Sequence, residues 1–309
     1  MAGLALLCPG QGGQHPGMLD LAAASPEGAD ALRRVAGALG WDPLARARRG
    51  GPDLFANAIA QPLVCAAELA TWAALRPVLP APRLVLGYSL GELAAYGCAG
   101  ALAPEETVRL AVRRAALTDA ASPPGSGLVA LRGIALSRAE ALVAEAGAEI
   151  AIANGPDHCV AGGSAEALAE VERCAARAGA TTIQRIPVGV PAHTRLLESA
   201  VAPFADALTR SPLGDPKVPV LAGTSGLPVR TRDEAVSALS LQLARRIEWA
   251  RCLAAAEELG CTVFLELGPG SALTKMAGEL VPGASARSVA DFRTVAGIAR
   301  WIEGALASR

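Results

Sequence analysis

Ser89 is the residue whose surroundings most clearly predict chemistry. It is the central residue of GYSLG (residues 87–91), which fits the G-x-S-x-G pattern of a nucleophile elbow. The glycines of that pattern permit a tight, strained turn that exposes the serine hydroxyl at the top of a sheet. An apolar run, residues 83–86, precedes the motif, and a helical segment follows it. Because five letters alone recur by chance, this strand-turn-helix order is what predicts a nucleophilic Ser89.

A nucleophilic serine needs a base, and the chain has only three histidines, His15, His158 and His193. His15 and His158 are expected in loops, where a solvated histidine is the simpler explanation. His193 follows residues 187–192, an apolar segment expected to form a strand that ends at a sheet edge. We predict His193 as the base, with a core histidine as the alternative. An ordinary α/β-hydrolase would place its histidine late, after an acid, and no histidine follows His193.

Two further segments could bind the charged parts of a substrate. Arg113 and Arg114 lie in the apolar sequence AVRRAAL of a predicted helix, where it is hard for both to face solvent. An inward Arg114 could bind a carboxylate, and a snorkelling surface arginine is the alternative. The glycine-rich residues 9–14 follow a predicted strand over residues 3–8, and their main-chain N–H groups could bind an oxyanion. This loop lacks the signatures of a P-loop and of a dinucleotide site.

The composition limits the class of protein. The chain has 309 residues, of which 52% are apolar and 18% charged, with a net charge of −1. This length supports one large α/β domain or two unequal ones, and the charge gives no electrostatic case for nucleic acid. Seven scattered cysteines form no C-x-x-C pair, so we expect reduced thiols and no metal site. We find no signal peptide and no apolar stretch of the ~18 residues that span a bilayer, which predicts a cytoplasmic protein.

The order of the predicted elements changes in the middle of the chain. Residues 122–127 contain two prolines and two glycines, and the segment after them reads as βαββαβ, the order of a ferredoxin-like unit. We therefore predict a large α/β-hydrolase-like domain with a parallel sheet, formed by residues 1–124 and 188–309. Residues 125–187 would form an inserted small ferredoxin-like domain.

Several motifs in register over nearly the whole chain resemble the malonyl-CoA:acyl-carrier-protein transacylase family. They are PGQGGQ (residues 9–14), QP (61–62), GYSLGELAA (87–95), an arginine 25 residues after the serine, IANGP (152–156), VPAH (190–193) and ELGPGSALT (266–274). Each motif is weak alone, but their joint occurrence in this order is highly specific.

The resemblance implies a reaction and a catalytic pair. Ser89 would attack the thioester of malonyl-CoA, and His193 would take and return the proton. The acceptor would be the pantetheine-type thiol of an acyl carrier protein, with no metal or other cofactor. In this family a main-chain carbonyl orients the imidazole, and the matching position here is Gln242.

The resemblance also implies the groups that hold the substrate. The main-chain N–H groups of Gln11 and Leu90 would form the oxyanion hole. Arg114 would hold the free malonyl carboxylate, and Gln61 would line the same pocket.

Two positions depart from the fatty-acid enzymes of the family. Tyr88 stands where histidine is common before the serine, and Ala192 stands where serine is common before the histidine. The small Ala192 is consistent with malonyl but leaves discrimination against methylmalonyl open. The GYS form followed by ELAAYGCAG resembles the malonyl transferase (epsilon) subunit of malonate decarboxylase, which primes a carrier with a phosphoribosyl-dephospho-CoA arm. We favour this subtype, with fatty-acid or polyketide synthesis as the alternative.

Other classes of function remain open at the level of sequence. A serine thioesterase or esterase would use the same elbow but transfer the acyl group to water. A non-catalytic scaffold that docks a carrier would keep the fold without needing a serine and histidine pair. Arginines at positions 46, 48, 49, 245 and 246 could dock an acidic carrier, although charged runs are usually solvated faces.

Overall fold

The computed structural model describes residues 2–308, and two β-sheets organise this part of the chain. Its strands are β1 (Gly3–Cys8), β2 (Leu84–Gly87), β3 (Gly127–Arg132), β4 (Glu149–Gly155), β5 (His158–Gly163), β6 (Thr182–Ile186), β7 (Val220–Leu221), β8 (Pro228–Val229), β9 (Cys261–Glu266) and β10 (Ser285–Ser288). Short 3₁₀ helices lie at Pro52–Phe55, Arg195–Leu197 and Val289–Asp291.

The α-helices of the described residues cover the faces of both sheets. They are α1 (Asp20–Ala23), α2 (Pro26–Leu39), α3 (Pro43–Arg49), α4 (Asn57–Leu75), α5 (Leu90–Cys98), α6 (Pro104–Ala121), α7 (Leu136–Glu145), α8 (Ala165–Arg177), α9 (Glu198–Arg210), α10 (Arg232–Leu241), α11 (Trp249–Glu258), α12 (Ala272–Leu280) and α13 (Val295–Ala307).

The larger sheet has the strand order β10-β9-β1-β2-β7-β8 and is parallel except for the antiparallel pair β7 and β8. Every residue of β1 and β2 is buried, as expected for parallel strands covered on both faces. These two strands are neighbours, and Cys8 pairs with Gly87 at their carboxyl ends. The loop after β1 and the turn that carries Ser89 therefore leave the sheet at the same edge.

The smaller sheet is antiparallel, with the order β4-β5-β3-β6, and it carries α7 and α8 on one face. Its chain order is βαββαβ, as predicted for a ferredoxin-like unit. The predicted fold class, an α/β fold with a second small sheet, is confirmed. The domain boundaries at residues 125 and 187 stay a prediction.

The second face of the smaller sheet packs against the larger part of the molecule. Ile152 of β4 belongs to the same buried cluster as Trp249 of α11. Main-chain hydrogen bonds reinforce this contact, because Ile247 N donates to Ala151 O at 2.9 Å and Ala153 N donates to Ile247 O at 2.8 Å. These two bonds give hydrogen-bond partners to main-chain groups that the packing buries.

The structure corrects two local expectations. Residues 187–192 form an irregular segment, not a strand, because proline at positions 187 and 191 cannot donate ladder hydrogen bonds. His158 is the half-buried first residue of β5, not a residue of a solvated loop.

Helix α4 is the most apolar long helix of the described chain. It has 19 residues and a mean hydropathy of 1.4 over its most apolar window, so by length and composition it could cross a membrane. However, 83% of that window is buried inside the fold. Its apolar surface is therefore used in the protein core.

The turn after β2 has the geometry of a nucleophile elbow. Ser89 has φ 57° and ψ −116°, in the left-handed region that non-glycine residues rarely adopt. A Cβ on Gly91 would lie 1.9 Å from the carbonyl oxygen of Cys8, and one on Gly87 would lie 2.1 Å from the Cα of Glu92. Both positions require glycine because backbone atoms that cannot move aside occupy the space.

We expect Gly91→Ala to destabilise the protein, in contrast to Gly37→Ala in α2. Nothing lies within 4 Å of a Cβ on Gly37, so alanine there should raise the free energy of unfolding by about 0.5–1 kcal/mol. At Gly91 the clash with Cys8 should lower it by at least about 1–3 kcal/mol, the usual cost of overpacking. Urea unfolding followed by circular dichroism measures both changes. Equal stabilities of the two variants would contradict this account of the elbow.

Candidate active site

The structure brings the serine of the elbow together with one histidine. Ser89 Oγ lies 2.7 Å from His193 Nε2. The other ring nitrogen, Nδ1, lies 2.5 Å from the main-chain oxygen of Gln242. Since a carbonyl oxygen only accepts hydrogen bonds, Nδ1 carries the proton and Nε2 can accept the serine proton. His193 has φ 66°, and its N–H donates to Leu243 O at 2.8 Å.

The environment of His193 keeps its ring neutral. The side chain is only 1% exposed. Burial and the charge of Arg114 lower the pKa of His193 to about 3, although the hydrogen bond to the Gln242 carbonyl raises it. At neutral pH the imidazole is therefore a base with a free lone pair directed at the serine hydroxyl.

The two main-chain donors expected for an oxyanion hole belong to residues close to Ser89. Leu90 is the first residue of α5, so its N–H has no acceptor within the helix. Gln11 lies in the loop after β1, and a Cβ on its neighbour Gly10 would lie 3.7 Å from Ser89 Cβ. Among residues 2–308, neither N–H donates to another main-chain group. The positive end of the α5 dipole adds to this anion-binding potential.

Arg114 of α6 points inward and is 3% exposed, whereas its neighbour Arg113 is exposed. Its guanidinium donates to Gln61 Oε1 at 3.0 Å and to Gln242 Oε1 at 3.1 Å. Within residues 2–308, no carboxylate oxygen lies within 4.0 Å of this guanidinium. Burial lowers the pKa of Arg114 to about 10, so the group stays charged at neutral pH. A buried cation held only by neutral amides favours an anionic ligand.

Asn57 holds this arrangement together, and sequence analysis missed it. Its Oδ1 accepts from Gln61 Nε2 at 2.8 Å and from Gln11 Nε2 at 3.1 Å. Its Nδ2 lies 2.8 Å from Asp119 Oδ1 and 3.1 Å from Thr118 Oγ1, both on α6. The only signal in the sequence is that Asn57 precedes Gln61 by four residues, which places both on one face of α4.

Ser89, His193 and Arg114 line one narrow cavity of about 60 Å³ between the two sheets. Gln11, Gln61 and Asn57 contribute polar groups to the cavity. Apolar side chains form much of its wall, among them Leu128, Ile152, Ile186, Val188, Val190 and Ala192. This volume suits a short acyl group better than a long chain.

Tyr88 forms the wall of the cavity next to the serine. Its hydroxyl donates to Asn154 Oδ1 at 3.1 Å, and its ring meets the Trp249 ring edge-on with the centroids 5.3 Å apart. Asn154 Nδ2 lies 3.2 Å from His158 Nε2. His158 thus supports Asn154 from outside the cavity, and the third histidine, His15, is exposed and does not line it.

Four of the five arginines considered for docking have acidic partners within the chain. The pairs are Arg46 with Asp53, Arg48 with Asp20, Arg245 with Glu198, and Arg246 with Glu140 and Glu248. A role of these arginines in docking stays a prediction. Within residues 2–308, the seven cysteines are free, and no group of three His, Cys, Asp or Glu side chains could hold a metal ion.

Known proteins are similar to this chain in sequence and in fold. The acyl transferase domain family matches residues 5–299. The malonyl CoA-acyl carrier protein transacylase of Haemophilus influenzae is 32% identical over 311 residues, covering 94% of this chain and 96% of the relative. The polyketide biosynthesis protein ThaF of Burkholderia thailandensis is 31% identical over 302 residues, covering 96% of this chain. The structure of the malonyl CoA-acyl carrier protein transacylase from Coxiella burnetii matches with a TM-score of 0.93 at 29% identity, covering 98% of both chains.

These matches differ in how much of the relative they cover. The chain spans only 26% of the length of ThaF but nearly all of the Haemophilus influenzae protein. The prediction of an acyltransferase is confirmed by the family match and by these relatives. The chain therefore belongs to the acyl transferase domain family, whose members include the malonyl CoA-acyl carrier protein transacylases.

Proposed function

We propose that this enzyme transfers a malonyl group from malonyl-CoA, through an ester on Ser89, to the pantetheine-type thiol of an acyl carrier protein. The observation that carries the proposal is one cavity that combines the Ser89 and His193 pair with a buried Arg114, which has no carboxylate partner among residues 2–308. Malonyl-CoA would offer a group to each of these features. Its thioester carbonyl would react with Ser89, and its free carboxylate would bind Arg114. The names of the Haemophilus influenzae and Coxiella burnetii proteins support the same substrate and acceptor.

In the first half of the reaction, Ser89 Oγ attacks the thioester carbon while its proton passes to His193 Nε2. The carbonyl oxygen becomes an oxyanion, which the N–H groups of Gln11 and Leu90 stabilise. The carbon–sulfur bond then breaks, and the imidazolium returns its proton to the CoA thiolate. The malonyl ester remains on Ser89, with its free carboxylate on Arg114.

In the second half, the carrier thiol gives its proton to His193 and attacks the ester carbon. Collapse of the second oxyanion breaks the bond to Ser89 Oγ, which regains the proton from the imidazolium. The imidazolium needs no carboxylate partner, since the Gln242 carbonyl accepts from Nδ1 in both forms of the ring. A serine thioesterase would perform the same steps with water in place of the thiol.

The identity of the carrier is the finer part of the proposal. One relative is named as a polyketide biosynthesis protein and another as a malonyl CoA-acyl carrier protein transacylase. We therefore propose an acyl carrier protein of polyketide or fatty-acid synthesis as the acceptor. Priming of malonate decarboxylase is a second candidate, which Tyr88 favours because it stands where the fatty-acid enzymes commonly have histidine. Transfer rates to a phosphopantetheine carrier and to a carrier with a phosphoribosyl-dephospho-CoA arm distinguish the two.

We expect Arg114→Ala to remove the preference for malonyl over acetyl groups. Two charge-assisted hydrogen bonds, each contributing roughly 1.5–3 kcal/mol, predict a loss of at least about a hundredfold in that preference. Intact-protein mass spectrometry after mixing with malonyl-CoA or acetyl-CoA measures the adducts. Arg113→Ala, which changes the exposed neighbour, is the matched control and should keep the preference.

The Ser89→Ala variant is the second control in this experiment and should acquire neither acyl group. An unchanged malonyl preference in Arg114→Ala would contradict the proposed carboxylate site. A malonyl adduct on Ser89→Ala would contradict the proposed nucleophile.

We also expect malonyl transfer to persist in acid. Because burial and Arg114 lower the pKa of His193 to about 3, the ring stays neutral as the pH falls through 6.5, the ordinary value for histidine. The kcat/KM for CoA release should therefore stay level between about pH 5 and 7. A fall in kcat/KM with its midpoint near pH 6.5, in protein that circular dichroism shows to be folded, would mean that the base is solvated.

A further inference from the structure

The side chain of Gln242 makes hydrogen bonds in the site that are separate from the bond between its main-chain carbonyl and His193. Its Nε2 donates to the carbonyl oxygen of Ser89 at 2.9 Å and to Glu92 Oε2 at 3.1 Å. Its Oε1 accepts from Arg114 at 3.1 Å. One residue thus contacts His193 through its backbone and Arg114 through its side chain.

The orientation of this amide decides whether Gln242 can accept a hydrogen bond from Arg114, beside the one that Gln61 accepts. If the amide turned over, its oxygen would face two acceptors, the Ser89 carbonyl and the Glu92 carboxyl. Its NH₂ group would then face the guanidinium, which only donates hydrogen bonds. The two acceptors therefore fix Oε1 toward Arg114, and Glu92 is the only one of them that belongs to a side chain.

Glu92 is buried in the core where it contacts Gln242. It lies in the first turn of α5, three residues after Ser89, and is 0% exposed. Its Oε2 also accepts from the N–H of Gly223 at 3.1 Å, and a Cβ on Gly223 would lie only 2.7 Å from that oxygen. The carboxyl thus requires glycine at position 223 to reach its place.

The contact does not depend on the ionisation of Glu92. Burial raises the pKa of Glu92 to about 7, while its hydrogen bonds to Gly223 and Gln242 and the charge of Arg114 lower it. Its Oε1 is buried without a hydrogen-bond partner among residues 2–308. A proton on Oε1 would leave Oε2 as the acceptor for Gln242 Nε2.

We infer that Glu92 is a positioning residue for substrate selection, which orients the Gln242 amide so that Arg114 is held ready for the carboxylate of the acyl group. The inference rests on the proposed function, because it concerns the same pocket. Glu92 touches neither the thioester nor the carboxylate in this account, and it acts through Gln242 alone.

The test compares the ratio of malonyl to acetyl transfer in Glu92→Leu, Glu92→Gln and wild type. Without the hydrogen bond to Glu92, Gln242 should position Arg114 less well, and Arg114 should bind the malonyl carboxylate more weakly. The ratio should therefore fall about tenfold in Glu92→Leu. Glutamine keeps an oxygen that can accept from Gln242 and Gly223, so Glu92→Gln should restore most of the ratio. A purely structural role would lower both transfers together and leave the ratio unchanged.

Glu68 supplies the matched control. It is also 0% exposed, and neither of its carboxyl oxygens has a hydrogen-bond partner among the described residues. Glu68→Leu removes a buried carboxyl of the same type without touching Gln242, so its ratio should equal that of wild type. If Glu92→Leu does not fold, Gly223→Ala displaces the carboxyl instead and should lower the ratio in the same direction.

The outcomes separate this inference from the proposed function. Wild type that shows no preference for malonyl would contradict the proposed function itself. Wild type with the preference, together with an unchanged ratio in folded Glu92→Leu or Gly223→Ala, would overturn only the role of Glu92. A Glu92→Gln ratio as low as that of Glu92→Leu would also overturn it, because an acceptor oxygen would then not suffice.

Discussion

The hydrogen bond from His193 Nδ1 to the main-chain oxygen of Gln242 is the contact on which the site depends. A carbonyl fixes the tautomer and the ring plane as a carboxylate would, but it adds no negative charge to the cavity. The left-handed backbone at His193 and its N–H bond to Leu243 bring the ring to this position. The side chain of Gln242 is then free to contact Arg114.

Among residues 2–308, no carboxylate pairs with His193, and this fits the charge of the pocket. The buried cation Arg114 lowers the pKa of His193 and is also the group that would attract the substrate carboxylate. An acid beside His193 would raise the pKa of the imidazole. An acid beside Arg114 would occupy the site proposed for the substrate carboxylate. Neutral amides from Gln61 and Gln242 position the guanidinium without neutralising it.

Local sequence patterns predicted the parts of this site that single elements determine. Ser89 lies in a turn whose flanking strand and helix can be seen in the sequence, and β1 is a continuous apolar run of the parallel type. The contacts of Asn57 and Glu92 could not be predicted in this way, since they join residues that are far apart in the chain. The segment before His193 was misjudged because its apolar residues line the cavity and not a sheet.

The measurement that most directly tests the account is the fate of the isolated malonyl enzyme. The enzyme is acylated with radiolabelled malonyl-CoA, freed of CoA and divided between buffer and buffer with a phosphopantetheine carrier protein. The account predicts that the label stays on the enzyme in buffer and moves to the carrier thiol when the carrier is added. Release of free malonate at the same rate in both samples would contradict a transferase and would instead indicate a thioesterase.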